Sequence, residues 1–149
     1  MKRNLTCAVA AALLLAGQTF AQTCAVTIDV KDTLGFSLKQ ISVDRRCAEF
    51  SLTLRHIGTQ PAGNMGHNWV LTRAEDFEGA VQDGQRAGFD NQFVKPGDVR
   101  VLAATRVIGG GEQTTISLDP SRLEPGGDYT YFCSFPAHFV QMQGKLLVE

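Results

Sequence analysis

The stretch AVTIDV, residues 25–30, sets Val26, Ile28 and Val30 on one side of an extended chain and Ala25, Thr27 and Asp29 on the other. FSLTL, residues 50–54, repeats the pattern with Phe50, Leu52 and Leu54 against Ser51 and Thr53. Period-two alternation over so few residues marks a half-buried strand, since successive strand side chains point to opposite faces. Further strand candidates lie at residues 36–43, 67–72, 98–103, 113–118, 128–132 and 145–148. Turn chemistry separates them, as in Gly58-Thr59-Gln60-Pro61, Lys95-Pro96-Gly97-Asp98, Gly109-Gly110-Gly111 and Glu124-Pro125-Gly126-Gly127. About eight short strands at this spacing predict an all-β fold, a β-sandwich or barrel. Residues 72–88 break the pattern. Thr72 stands as an N-cap candidate, acidic residues follow, Ala74, Phe77 and Val81 recur at helical spacing, and Gly88 closes the run, so one inserted short helix is expected.

Length and charge bound the function. A chain of 149 residues with a formal net charge of −1 fits one domain and carries no basic nucleic-acid footprint. Lys2 and Arg3 precede an apolar run that ends at Thr19-Phe20-Ala21, the form of a secretory signal peptide over residues 1–21. The run is too short to span a bilayer, so no membrane anchor is expected. Cleavage leaves residues 22–149 as a single exported domain, with Cys24, Cys47 and Cys133. An odd cysteine count in an oxidising compartment leaves one thiol over. Three pairings are open. Cys24 with Cys47 is favoured because both flank strand-like segments and have polar neighbours, which makes Cys133 the free thiol.

That thiol opens the segment CSFPAHFVQM, residues 133–142, followed by His138 and Met142. Thiolate, imidazole and thioether form a soft donor set suited to copper more than to magnesium or calcium. The other histidines are His56 and His67, and His67 begins a strand candidate within Met65-Gly66-His67-Asn68-Trp69. Two histidines, one cysteine and a distant methionine compose an electron-transfer copper centre, which has no open position for substrate. Cys133 as a nucleophile with His138 as its base is a rival reading, but no oxyanion nest or acid/base pair accompanies the two. Copper storage without a redox partner is the other rival.

The C-x4-H-x3-M spacing of Cys133, His138 and Met142, together with Met65-Gly66-His67-Asn68-Trp69, resembles the azurins, bacterial blue-copper proteins of the cupredoxin superfamily. Plastocyanin-like relatives resemble C-x2-H-x4-M instead. The likeness extends over the mature chain, including Asp83-Gly84 and Lys95-Pro96-Gly97-Asp98. It implies a Greek-key cupredoxin fold and a Cys24–Cys47 disulfide. It also implies one copper per chain, held by His67, Cys133 and His138, with Met142 and the Gly66 carbonyl as weak axial donors. Asn68, Ser134 and Phe135 would lie just behind the ligands, Trp69 in the core, and His56 near the metal without binding it.

By the same resemblance the chain would be a periplasmic one-electron carrier, monomeric, and served by redox proteins such as a c-type cytochrome and nitrite reductase or another reductase. Docking would use an apolar patch around His138, here Leu34, Met65, Phe135, Pro136 and Ala137. Gln60, Asn64, Gln85 and Gln141 stand where azurins commonly carry apolar side chains. A more polar docking face and weaker self-association are therefore expected.

Overall fold

The computed structural model describes residues 24–149, so the expected signal peptide lies outside the described residues. Among them, nine strands form two open sheets. The first runs β2-β1-β4-β7, built from β1 (Ala25–Lys31), β2 (Thr33–Phe36), β4 (Phe50–His56) and β7 (Gln113–Leu118). The second runs β3-β9-β8-β5-β6, from β3 (Gln40–Val43), β5 (Val70–Arg73), β6 (Ala103–Ala104), β8 (Tyr129–Phe132) and β9 (Gln143–Val148). The chain crosses repeatedly from one sheet to the other, and the result is a cupredoxin-like Greek-key sandwich, not a closed barrel. Among the described residues, no helix is long and apolar enough to cross a membrane.

Alternation does what it should in β1 and β4. Ile28, Val30, Phe50, Leu52 and Leu54 are buried between the sheets, while Thr27, Lys31 and Arg55 face outward. Trp69 joins this core, stacked on Tyr131 at 5.6 Å between ring centroids. Tyr131 also meets the edge of Phe36 and donates from its hydroxyl to the Leu38 carbonyl at 2.7 Å. Cys24 and Cys47 are joined by a disulfide across a sequence separation of 23. Closing a loop of that size contributes roughly 3 kcal/mol in the chain-entropy picture.

All four residues of β8 are buried because both its faces are covered. The inner face meets the other sheet. Against the outer face lies α2 (Phe77–Ala87), which buries Ala80 and Val81 beside Val70 and Phe132. A short turn of 3-10 helix, Ala74–Asp76, precedes it. The expected helix is therefore present, but Thr72 does not cap it. Thr72 belongs to β5, where pairing with Thr130 of β8 extends the ladder past the sequence signal.

Four other expectations change. Residues 36–43 are not one strand: the chain bends at Ser37-Leu38-Lys39 and passes from β2 in one sheet to β3 in the other. Regular strand begins at Val70 and not at His67, which makes only an isolated bridge to Ile108. Residues 98–102 are a turn followed by irregular backbone. Arg100 donates from its backbone N–H and guanidinium to Asp98, and from its guanidinium to Asp83 at 2.7 Å. These ion pairs curl the backbone, leaving only Ala103 and Ala104 to pair with β5. A second helix, α1 (Ala62–Met65), one turn long and without a periodic apolar face, was not anticipated.

Candidate metal centre

Three chain segments converge at one end of the sandwich. His67 follows α1 and is fixed by its bridge, with N–H and C=O bonds to Ile108 of 3.0 and 2.8 Å. Cys133 directly follows β8, where the last ladder pairing joins Phe132 to Gln143. His138 opens a 3-10 turn, His138–Val140, reached through Ala137 at φ 65°. Met142 then returns to β9. Its backbone N–H donates to the His138 carbonyl at 2.8 Å, and its carbonyl accepts from the Cys133 N–H at 3.1 Å.

His67 Nδ1 and His138 Nδ1 are 3.2 Å apart, and Cys133 Sγ lies 3.8 and 3.7 Å from them. A point equidistant from all three lies about 2.1 Å from each, close to the ~2.0–2.3 Å of nitrogen and thiolate bonds to a first-row ion. Those spacings would let one metal ion bind all three donors. The His67 Nε2 proton points at the Lys31 carbonyl, 2.8 Å away, so the Nδ1 lone pair faces the centre. Such a second hydrogen bond fixes both tautomer and ring plane.

Burial keeps the donors neutral until a metal arrives. It pushes the His67 pKa down to about 4, against the hydrogen bond to the Lys31 carbonyl and helped by the repulsion a charged His67 would meet from the neighbouring imidazoles, and it lowers that of His138 too. It pushes the Cys133 thiol up to about 12, against the pull of the Asn68 and Phe135 backbone N–H groups facing the sulfur. A thiol this reluctant to ionise needs a cation to take its proton's place. Met142 is fully buried and Gly66 immediately precedes His67. At Gly66 a Cβ would sit 2.3 Å from the Ala62 carbonyl oxygen and 2.6 Å from Val107, so only glycine lets this backbone pack so closely against α1 and Val107.

Asn68 clamps the two ligand segments together. Its Oδ1 accepts from the Ser134 N–H at 2.8 Å, and its Nδ2 donates to Ser134 Oγ at 2.8 Å and to the Gln92 carbonyl at 3.0 Å. Phe135 packs its ring 4.7 Å from His138 and 5.4 Å from Phe93. His56 is buried and makes no approach to the donor triangle through its nitrogens. One meets the Met65 carbonyl at 3.1 Å, the other accepts from the Gly58 N–H, and the ring stacks on His67 at 5.1 Å.

Among residues expected at the docking face, Leu34, Met65 and Phe135 are half-buried and Pro136 and Ala137 exposed. Gln60, Asn64 and Gln141 are exposed as well. Gln85 differs: it is half-buried, and its Nε2 donates to the Ser134 carbonyl at 2.7 Å, so it braces the ligand loop. Gln92 and Lys31 escaped the sequence reading. Gln92 holds a left-handed backbone at φ 59°, offers its carbonyl to Asn68, and accepts from the Val107 N–H through its side chain. Lys31 acts only through its main-chain carbonyl, which no side-chain pattern records.

A family profile described as copper binding proteins of the plastocyanin/azurin family matches residues 22–149. The chain is 50% identical to Azurin-1 of Alcaligenes xylosoxydans xylosoxydans over 123 residues, covering 83% of this chain and 95% of that protein. It is 44% identical to the azurin of Pseudomonas fluorescens biotype A over 126 residues, covering 85% and 98%. Among solved structures it superposes on the Az-iso2 azurin of Methylomonas sp. strain J with a TM-score of 0.83 at 45% identity, covering 86% of this chain and 99% of that one.

Proposed function

We propose that this chain, which belongs to the plastocyanin/azurin family of copper-binding proteins, holds one copper ion between His67 Nδ1, Cys133 Sγ and His138 Nδ1. Met142 and the Gly66 carbonyl would be weaker donors to the same ion. The protein is a blue-copper electron carrier and not an enzyme. The observation that carries the ligand assignment is the buried triangle of one sulfur and two imidazole nitrogens. Copper is favoured over harder cations by the thiolate and by the thioether of buried Met142.

When bound, the ion supplies a one-electron couple. The chain's own residues do the rest. His67, aimed by the Lys31 carbonyl, and Cys133, gripped by two N–H groups, keep their donor atoms in place at either charge. His138 is 5% exposed while His67 and Cys133 are both at 0%, so the electron's shortest way to a partner is through the His138 ring. Pro136 and Ala137 beside it, with Met65, Leu34 and Phe135, make the face for a brief encounter. The partners are redox proteins, a c-type cytochrome on one side and nitrite reductase or another reductase on the other. Residues 1–21 direct export to the periplasm, and residues 22–149 work there as a single monomeric domain.

Adding one equivalent of cupric ion to the metal-free protein should produce an intense blue colour that bleaches on reduction. Uptake should also release about one proton at neutral pH, since the Cys133 thiol must ionise. Cys133→Ser should abolish the colour; a variant that stays blue would overturn the ligand assignment.

A further inference from the structure

The peptide group joining Ser134 to Phe135 is engaged at both ends. Its N–H faces Cys133 Sγ. Its carbonyl oxygen accepts a hydrogen bond from Gln85 Nε2 at 2.7 Å, reaching in from the last turn of α2. The Ser134 N–H on the other side is already fixed by Asn68 Oδ1 at 2.8 Å, so this short segment of the loop cannot swing away from the helix. Hydrogen bonds in a chain polarise one another: an amide whose carbonyl accepts a bond becomes a stronger donor at its nitrogen.

We infer that Gln85 is a positioning residue for the copper centre, acting through the Ser134–Phe135 amide to strengthen the hydrogen bond that Phe135 N–H gives to the Cys133 sulfur. The inference rests on Cys133 being the copper ligand. The direction follows from charge. The sulfur carries more negative charge when the site is reduced, so a stronger donor favours the reduced form and raises the reduction potential. The Gln85 N–H dipole, positive end toward the loop, acts in the same sense. Strengthening of ten to thirty per cent in a charge-assisted bond corresponds to roughly a threefold change in the redox equilibrium constant, or about 28 mV at 59 mV per tenfold for one electron.

The substitution that isolates the bond is Gln85→Met, which keeps the length of the side chain and removes its donor. Gln85→Leu is the second version should the first fold poorly. Gln82→Met is the control, an exposed residue of α2 that makes no bond to the loop. Two readouts are needed: the reduction potential of the copper protein, and the Phe135 amide proton resonance in both the cuprous protein and the metal-free chain. The expected result is a roughly threefold shift of the redox equilibrium toward the oxidised form. An upfield move of the Phe135 resonance should accompany it, with the Asn68 amide unmoved and Gln82→Met like wild type. An unmoved Phe135 resonance, or a potential that is equal or higher, overturns the inference. Wild-type protein that never turns blue would overturn the copper reading instead, and a shifted Phe135 resonance in the metal-free chain would still uphold the relay through the amide.

Discussion

Asn68→Leu tests what holds the two ligand segments together. The side chain is fully buried and makes three hydrogen bonds, accepting from Ser134 N–H and donating to Ser134 Oγ and to the Gln92 carbonyl. Leucine has the same branched shape and number of side-chain heavy atoms, is bulkier, and can make none of them, so no cavity opens for a replacement water. Ser134 is 1% exposed, which denies its N–H any solvent partner. Each buried group left unpaired costs about 1–3 kcal/mol, although the Ser134 hydroxyl is free to rotate toward another acceptor. The expected loss is therefore about 3–5 kcal/mol, a large part of the 5–15 kcal/mol that holds a typical domain together. Urea unfolding of the metal-free protein is the assay, because copper would add its own binding energy to any difference. With an m-value of about 2 kcal/mol/M, the midpoint should fall by roughly 2 M at unchanged slope. A double variant with Ser134→Ala should lose less than the two singles summed, since they share bonds. A loss below about 1 kcal/mol would refute the clamp and imply that the loop holds its shape through β8 and β9 alone.

Gly144→Ala places a Cβ 2.1 Å from Tyr131 Cζ, and the ring is pinned by its bond to the Leu38 carbonyl; thermal unfolding should show a loss of about 1–3 kcal/mol from overpacking. Met142→Leu should retain copper, because the residue's backbone bonds to Cys133 and His138 survive, and should raise the reduction potential measured by voltammetry, since a donor to cupric ion is lost. Asp83 is held at a pKa of about 2 by Lys95 first and Arg100 next. A carboxyl depressed in the folded state stabilises above its unfolded pKa, near 4, and that contribution fades as pH falls toward 2. Asp83→Asn should accordingly lower the urea midpoint at pH 7 and flatten its decline between about pH 4 and pH 2; parallel curves for variant and parent would contradict the ion-pair account.

The parts of the fold legible in the sequence were those in which one face is wet and the other dry. In β1, β4 and β7 outward polar residues alternate with buried ones, and period-two reading located all three. It failed where a tertiary partner redirected the chain. Arg100 fell inside the strand candidate 98–103, but two carboxylates, one of them 17 positions earlier on α2, hold it in a turn. Residues 36–43 kept an apolar pattern through the bend between sheets, because both halves bury apolar side chains in the same core. The metal donors could be read off since cysteine, histidine and methionine declare their chemistry by type. Gln85, Gln92 and Lys31 could not, for they act through amide groups on partners 49, 24 and 36 residues away.

That division bears on how the centre works. Each donor is fixed by contacts that do not involve a metal: His67 by the Lys31 carbonyl, Cys133 by the Asn68 and Phe135 N–H groups, and His138 by its turn and by the Phe135 ring. Donors so restrained cannot travel far when the charge at the centre changes by one. Adjustment then falls on the polar groups surrounding the sulfur, and Asn68 has a part in both arrangements. Its backbone N–H faces the sulfur while its side chain anchors Ser134, one bond away from the amide that supplies the second N–H. A change at position 68 should thus move stability strongly and potential with it, whereas one at position 85 should cost less stability for its effect on potential, because Gln85 gives the loop one side-chain hydrogen bond where Asn68 makes three. Equal ratios of the two effects at both positions would show that the loop answers as one rigid piece and that no separate path runs from α2 to the sulfur.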